Sequence, residues 1–414
     1  MNDTINVLVI STIFPNKNSI NFGVFVKNRI KALSKLCTVE VISPVPYFPF
    51  IKYFGKYRER LKLPFKDTVD GIKVSYPRFF SFPGILKPLD GFFLALTIKK
   101  IIKKYNKKEM YFDVLDAHLA YPDGYSALIA SKKYNIPVTI TIRGHDVNYL
   151  HRYPLRKRQV KYALKSSKQV FSVCQKLLDE AKLSFCLSTK KGVVTYNGVD
   201  RAAFHPMERS IARGKIGFGS YSGEMILSIG YLVPRKGFNI LIEAFNIIRK
   251  EFLKEEIRLI IIGERGGEKY IGNKLKNRVK ELGLEKDVLF IKQIPHHELL
   301  YWYNASDLFC LASSHEGLPN VILESIVCGT PVVATNVWGI PEVIVNESIG
   351  MLVERGSSSC FAEILKKALN RKWDRSFISE YAERFNWDNT AKIIYNEFIK
   401  IKKRGNENSY KSNS

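Results

Sequence analysis

Residues 308–328 read LFCLASSHEGLPNVILESIVC, and the architecture turns on this stretch. Leu308 to Leu311 is a short, unbroken apolar run, the mark of a strand buried on both faces of a parallel sheet. Val321 to Cys328 carries apolar residues at helical spacing. The loop between them holds Gly317 and Pro319. A strand end, a glycine-containing loop and a helix N-terminus together present backbone N–H groups and the positive end of a helix dipole, which favours an anion. Glu316 and Glu324 stand eight residues apart at the two ends of this junction, an arrangement that suits a hydroxyl-rich ligand. The competing reading is a surface loop with Glu324 merely solvated.

Outward from this stretch the same rhythm repeats. Met225 to Ile229, Leu259 to Ile262, Val288 to Phe290 and Pro331 to Ala334 read as further strands. Phe238 to Lys250, Lys269 to Leu282 and Leu299 to Asn304 read as the helices between them. The first half shows it too: strands at Val7 to Ser11, Thr38 to Ser43, Val114 to Ala117, Pro137 to Ile142 and Gln169 to Val173, with helices at Val24 to Leu36, Tyr125 to Tyr134 and Arg156 to Lys165. Strand–helix alternation of this kind predicts α/β domains with parallel sheets covered by helices. A chain of 414 residues suits two of them. The glycine-rich segment Asn197 to Gly223 reads as the junction, with domains expected over 1–205 and 206–386. A last amphipathic helix follows over 387–404, and 405–414 reads as a disordered tail.

The formal net charge is +26, with Lys+Arg 65 against Asp+Glu 39. With 26 Phe and 21 Tyr the chain is too aromatic for a disordered basic tail. The charge asks for a negative partner: nucleic acid, an anionic membrane or a phosphate-bearing substrate. It is unevenly spread. Residues 44–110 hold fifteen bases against five acids, and Arg152 to Lys168 adds seven bases without an acid. The start of the chain reads as a first strand and not as a signal peptide. No run approaches the about 18–20 apolar residues of a spanning helix. The six cysteines, none in a C-x-x-C, read as buried reduced thiols, which points to a cytoplasmic protein.

Two further loops could carry chemistry. Gly230 to Gly237, after the strand Met225 to Ile229, places Arg235 and Lys236 where phosphates bind in open α/β sheets, unless both are simply solvated charges. Arg143-Gly144-His145-Asp146 ends the strand Pro137 to Ile142; a lone His is more often structural, but this one stands at a strand's carboxyl end beside an acid. Gly217-Phe218-Gly219 precedes its strand and lacks a third glycine, so it is no dinucleotide fingerprint. His296-His297-Glu298 has no metal-ligand spacing and opens a helix, so no metal is expected. There is no Walker loop and no G-x-S-x-G elbow.

Taken together, these residues resemble the retaining glycosyltransferases of family 4. Glu316 through Glu324 is similar to that family's E-x7-E region, and the flanks ILSIGYLVPRKGFNILIEAF (226–245) and GTPVVATNVWGIPE (329–342) are similar to its donor site. In the first half, Gly23 to Val26, Arg143 to Asp146 and Tyr196 to Asp200 fall in family order. The resemblance implies the GT-B fold, two facing Rossmann-like domains with the final helix crossing back to the first. It implies transfer of a hexose-type sugar from a nucleoside-diphosphate sugar, UDP- or GDP-linked, without cofactor or metal, to a glycan acceptor in cell-surface polysaccharide assembly, as in teichuronic-acid-type enzymes.

Carried over residue by residue, Lys236 with Arg235 would neutralise the diphosphate. The backbone of Gly317, Leu318, Pro319, Asn320 and Val321 would hold it at the helix N-terminus, and Glu324 would bind the ribose. Glu316 would hold the transferred sugar, His145 would sit over it, and the loop at Gly23 would close on the phosphates. The chain departs from the family at Tyr231, where many relatives carry Arg, and in its single Gly23, where some have a pair. The alternatives are an epimerase of the same architecture and a basic nucleic-acid-binding protein, the latter without any recognition motif. The surplus charge then points to an anionic membrane on the cytoplasmic face, bearing a polyprenyl-linked acceptor. On the helix Gly91 to Lys107, Leu94, Ile98, Ile101, Ile102 and Tyr105 share one side and Lys99, Lys100, Lys103 and Lys104 lie elsewhere; the plain alternative is a core-packing helix with a solvated face.

Overall fold

In the computed structural model, which describes residues 4–82, 84–148, 153–251, 256–266 and 268–412, the alternating runs become two parallel sheets. Unit 1 comprises Met1–Asn197 and Trp387–Ser414, and unit 2 is Gly198–Asn386.

The strands of unit 1 are β1 (Asn6–Ile10), β2 (Thr38–Ile42), β3 (Val45–Tyr47), β4 (Lys66–Val69), β5 (Ile72–Ser75), β6 (Arg78–Phe80), β7 (Val114–Ala117), β8 (Val138–Ile142), β9 (Gln169–Ser172) and β10 (Val193–Val194). Eight form one sheet in the order β10-β9-β8-β7-β1-β2-β5-β4, and β3 pairs with β6 alone. Every pairing in the large sheet is parallel except β4 with β5. Unit 2 adds β11 (Glu224–Ile229), β12 (Ile257–Ile262), β13 (Val288–Ile291), β14 (Leu308–Leu311), β15 (Val332–Thr335) and β16 (Gly350–Val353). They form an all-parallel sheet, β13-β12-β11-β14-β15-β16.

These orders decide where ligands can bind. In unit 2 the chain leaves β11 toward β12 on one side, while β14 lies on the other. The order therefore reverses between β11 and β14, and such a switch point opens a crevice at the strands' carboxyl ends. The loops that emerge there are Gly230–Gly237 and Ala312–Pro319. In unit 1 the reversal lies between β1 and β7, below the loops that follow Ile10 and Ala117.

The expected boundary after residue 205 moves to Asn197. Residues 198–205 pack on unit 2: the Phe204 ring lies 5.0 Å from that of His296, and Val199 bridges to Asn386. The final helix is Trp387–Ser412. It belongs to unit 1 because Trp387, Ala391, Ile394 and Phe398 join a core with Ile30, Leu33 and Phe171. The tail expected to be disordered from 405 continues this helix to Ser412, since adding a residue to an existing helix costs little; 413–414 lie outside the described residues.

Several elements were not read from the sequence. One is the β4–β5 hairpin, whose Asp70-Gly71 turn has both residues at positive φ, the expected D-G signature of a two-residue turn. Others are β16 and the helices Gln175–Phe185 and Ser358–Leu369. Cys186 and Cys360 are exposed, against the expectation of burial; Cys186 ends one of these helices and Cys360 lies in the first turn of the other, while the remaining four cysteines are buried. Among the described residues no helix is long and apolar enough to cross a membrane.

Phe398 is fully buried, its ring 6.2 Å from that of Phe171. Phe398→Ala is expected to destabilise unit 1 by about 3–5 kcal/mol, read as an earlier transition in chemical denaturation.

Candidate active site

The two loops at the β11/β14 switch point are tied to each other. Gly237 ends the first loop at φ +66°, and a Cβ there would fall 2.0 Å from the Ala312 carbonyl oxygen. Only glycine permits that approach. The Ser314 amide donates to the Arg235 carbonyl at 2.7 Å. This close seating brings Arg235 and Lys236 against Glu316. The Lys236 ammonium donates to Glu316 Oε1 at 2.6 Å, Ser313 Oγ donates to the same oxygen at 2.7 Å, and Arg235 Nη1 lies 3.4 Å away. Arg235 also donates from Nε to Glu268 Oε1 at 2.6 Å.

Burial alone would push the Glu316 carboxyl up, but Lys236 and Arg235 outweigh it and hold the group below the usual carboxylate range. The two cations expected at a diphosphate are therefore held together by a carboxylate. Their charge is fixed in place and partly neutralised.

Leu318 is buried, and Pro319 precedes the helix Asn320–Val327 without a side-chain cap. Glu324 lies in that helix and is buried, not solvated. Tyr303 O–H donates to its Oε2 at 2.9 Å, and His296 Nε2 lies 2.8 Å from its Oε1. Each carboxylate oxygen keeps lone-pair capacity for a hydroxyl, so the group is oriented and can still accept. On the far side of the loop, Gly339 N–H donates to the Gly317 carbonyl at 3.1 Å. The preceding Trp338 sits at φ +51°. A bulky residue in that region carries strain of about 1–3 kcal/mol, a feature typical of ligand-shaping segments. The Trp338 ring lies 6.4 Å from that of His315.

Gly23 and His145 belong to unit 1. Gly23 precedes the helix Val24–Leu33 at φ +76°, and a Cβ there would lie 2.5 Å from the Ile13 carbonyl oxygen, so the loop after β1 closes tightly at this glycine. The backbone of His145 opens the short helix His145–Asn148; its side chain lies outside the described residues. Beside it, Asp146 Oδ1 accepts from the amides of Arg143 and Gly144, both at 3.2 Å, and Oδ2 accepts from Ala120 N at 2.9 Å. Asp146 thus shapes the turn and is not displayed to a ligand.

A buried network invisible to the sequence reading stands behind Arg143. Its Nη2 donates to His118 Nδ1 at 3.0 Å. Burial draws His118 down to about 4, so at neutral pH the ring is neutral, accepts at Nδ1 and carries its proton on Nε2, 3.3 Å from Asp116 Oδ2. Arg29 lies 3.5 Å from that same oxygen.

His296, read only as a helix start, and Tyr303, not read at all, are the two partners of Glu324. The available signals were an acid in the otherwise apolar β7 and a histidine directly after it (Asp116, His118), and a tyrosine on the face of the helix Leu299–Ala305 that turns inward. No group of three or more His, Cys, Asp or Glu able to hold a metal ion occurs among the described residues.

Residues 220–385 match the family described as glycosyl transferases group 1, and residues 23–203 match glycosyltransferase family 4. Together they span most of the chain, which belongs to the family 4 type of glycosyltransferases and is an enzyme of that class. A putative teichuronic acid biosynthesis glycosyltransferase, TuaC of Bacillus subtilis, is 26% identical over 96% of this chain and 99% of its own length. Among solved structures, the sucrose-phosphate synthase of Thermosynechococcus elongatus superposes with a TM-score of 0.76 at 16% identity, covering 96% of this chain and 99% of that one. HepE of Anabaena, solved in complex with UDP, gives 0.71 at 18%, covering 96% and 100%. The fold is GT-B.

The Glu316–Lys236 pair also predicts a pH response. Because the carboxyl of Glu316 lies lower in the folded protein than in the unfolded chain, its contribution is complete above the ordinary carboxylate value of about 4.3 and is lost as pH falls through the folded value. Glu316→Gln is expected to be less stable than the parent at pH 7 by about 3–5 kcal/mol, as for a broken buried pair. The difference in thermal midpoint should persist at the ordinary carboxylate value and close only as pH falls through the lower value of the folded protein, where the parent carboxyl becomes neutral as well.

Proposed function

We propose that the chain transfers a hexose from a nucleoside-diphosphate sugar to a glycan acceptor carried on a polyprenyl lipid, with retention at the anomeric carbon and without a metal, in the assembly of a cell-surface polysaccharide. The observation that carries this reading is the joining of Lys236, Arg235 and Glu316 at the β11/β14 switch point beside the start of the helix Asn320–Val327. A leaving diphosphate gathers negative charge as the bond to the sugar breaks, and charges fixed beforehand in a dry site lower that barrier most. Lys236, Arg235 and the helix dipole supply such charge, so no ion is required for it.

The contact between Lys236 and Glu316 implies an order of events. An arriving diphosphate competes with the Glu316 carboxylate for the ammonium, and the carboxylate is then available to the hydroxyls of the sugar. Glu324, oriented by Tyr303 and His296, accepts from the ribose hydroxyls. The donor C–O bond breaks with its electron pair going to the diphosphate. The acceptor oxygen bonds to the anomeric carbon from the same face, and its proton passes to a diphosphate oxygen. HepE was also solved with UDP-glucose, which favours a uridine donor over a guanosine one. TuaC's described role in teichuronic acid biosynthesis favours a polysaccharide product.

The test is incubation with radiolabelled UDP- and GDP-hexoses and a polyprenyl-linked glycan. Label in the lipid fraction together with free nucleoside diphosphate is expected; an epimerised sugar nucleotide formed without acceptor overturns the reading. Lys236→Ala should lower turnover by about 10²–10³-fold, and Lys236→Arg by less. Unchanged turnover in Lys236→Ala removes the assigned role.

A further inference from the structure

We propose that unit 1 carries a docking surface for an anionic phospholipid bilayer, made of an exposed aromatic and aliphatic patch within residues 47–96 and the lysine stripe that continues it along the helix Asp90–Asn106. Its residues are separate from the donor site, and the inference stands whatever sugar or nucleotide the enzyme takes.

Large apolar side chains are concentrated here on the surface: Tyr53 is 73% exposed, Phe65 70%, Phe50 69% and Ile85 61%. A seam of packed rings runs beneath part of it. Ring centroids run from Phe54 to Phe48 at 5.3 Å, to Phe82 at 6.0 Å, to Phe80 at 5.1 Å, to Phe93 at 4.9 Å and to Phe92 at 5.8 Å. Both ends of this seam, Phe54 and Phe92, are exposed. From Phe92 the surface passes onto the helix. Its inward side, Leu94, Ile98 and Ile102, is buried, while Phe92 and Leu96 face outward and Lys100, Lys103 and Lys104 extend the same exposed side. The helix thus has an outer stripe that changes from apolar to cationic along its length.

The charge of the region is a true surplus. Its acids Glu59, Asp67, Asp70 and Asp90 are each paired with a lysine, Lys62, Lys17, Lys27 and Lys87 in turn. Further cations lie against the rings: Lys52 is 5.0 Å from the centre of Tyr53 and Arg60 4.9 Å from that of Tyr57.

A bilayer fits this chemistry best. An apolar patch of this kind marks an interaction surface. Protein interfaces deplete lysine, whereas here the apolar stripe runs directly into lysines. Single-stranded nucleic acid binds through ring faces, but these rings pack mostly edge to face on one another, and Ile85 and Leu96 have no ring to offer. The headgroup boundary accepts aromatic and aliphatic groups alike, and anionic lipid attracts each nearby lysine.

The experiment is vesicle sedimentation of the full chain without nucleotide or acceptor, so its result is independent of the transferase assay. The vesicles are phosphatidylcholine alone and phosphatidylcholine with one third phosphatidylglycerol. Binding to the anionic vesicles at low salt, little binding to the neutral ones and weakening by added salt are expected. The variant K100Q/K103Q/K104Q should lose about a hundredfold in affinity. The variant Y53S/I85S should lose about tenfold or more, and its residual binding should vanish at high salt. Both should keep the parent melting temperature, because all five side chains are exposed. No binding to anionic vesicles, equal binding to neutral ones, or affinity unchanged in either variant overturns the proposal. So does binding to a single-stranded oligonucleotide in place of vesicles, which assigns the patch to nucleic acid.

Discussion

The contact between Lys236 and Glu316 is the interaction on which the rest of unit 2 depends. A buried ammonium and a buried carboxylate are each costly to remove from water, and neither is tolerated without the other. Satisfying both requires the loops after β11 and β14 to meet, and that in turn requires Gly237 to lie against the Ala312 carbonyl. The sheet order makes the meeting possible by placing β11 beside β14 although β12 and β13 intervene in the chain. Fold and site are thus one constraint: the parallel order brings the loops together, and the ion pair holds them in one conformation.

Unit 1 follows the same logic with different residues. At its own switch point the buried charges are Asp116 and Arg29, with a neutral His118 relaying to Arg143. Burial keeps the imidazole unprotonated, so its two nitrogens have fixed and opposite roles, and the Arg143 guanidinium is oriented by an acceptor and not by a charge. Both units therefore set a cation at the carboxyl ends of their strands and restrain it from behind. In unit 2 that cation meets an acid directly; in unit 1 a ring stands between.

Much of this was legible in residue order. The apolar runs at β11, β12, β14 and β15 are buried on both faces, so they read as strands without ambiguity. Arg235, Lys236 and Glu316 were legible as candidates because loops at strand ends carry function in such sheets. The partners of Glu324 were not. Tyr303 and His296 lie 21 and 28 residues earlier in the chain, and no local pattern links them to the glutamate. The junction read over Asn197–Gly223 could not be narrowed for a similar reason: the division falls at its start, and Phe204 already packs against His296. On the helix Asp90–Asn106 the buried side was read correctly, but the exposure of Phe92 and Leu96 depends on what the neighbouring segments leave uncovered.

By itself, then, the sequence determined the class of fold and the chemical types at the site, because hydrophobic periodicity and loop composition are local properties that survive in any arrangement. The tertiary structure alone decided which charges pair, which carboxylate is oriented and by what, and which apolar side chains are left outside. Those outcomes depend on distances between residues far apart in the chain, and on whether burial removes the water that would otherwise satisfy each group.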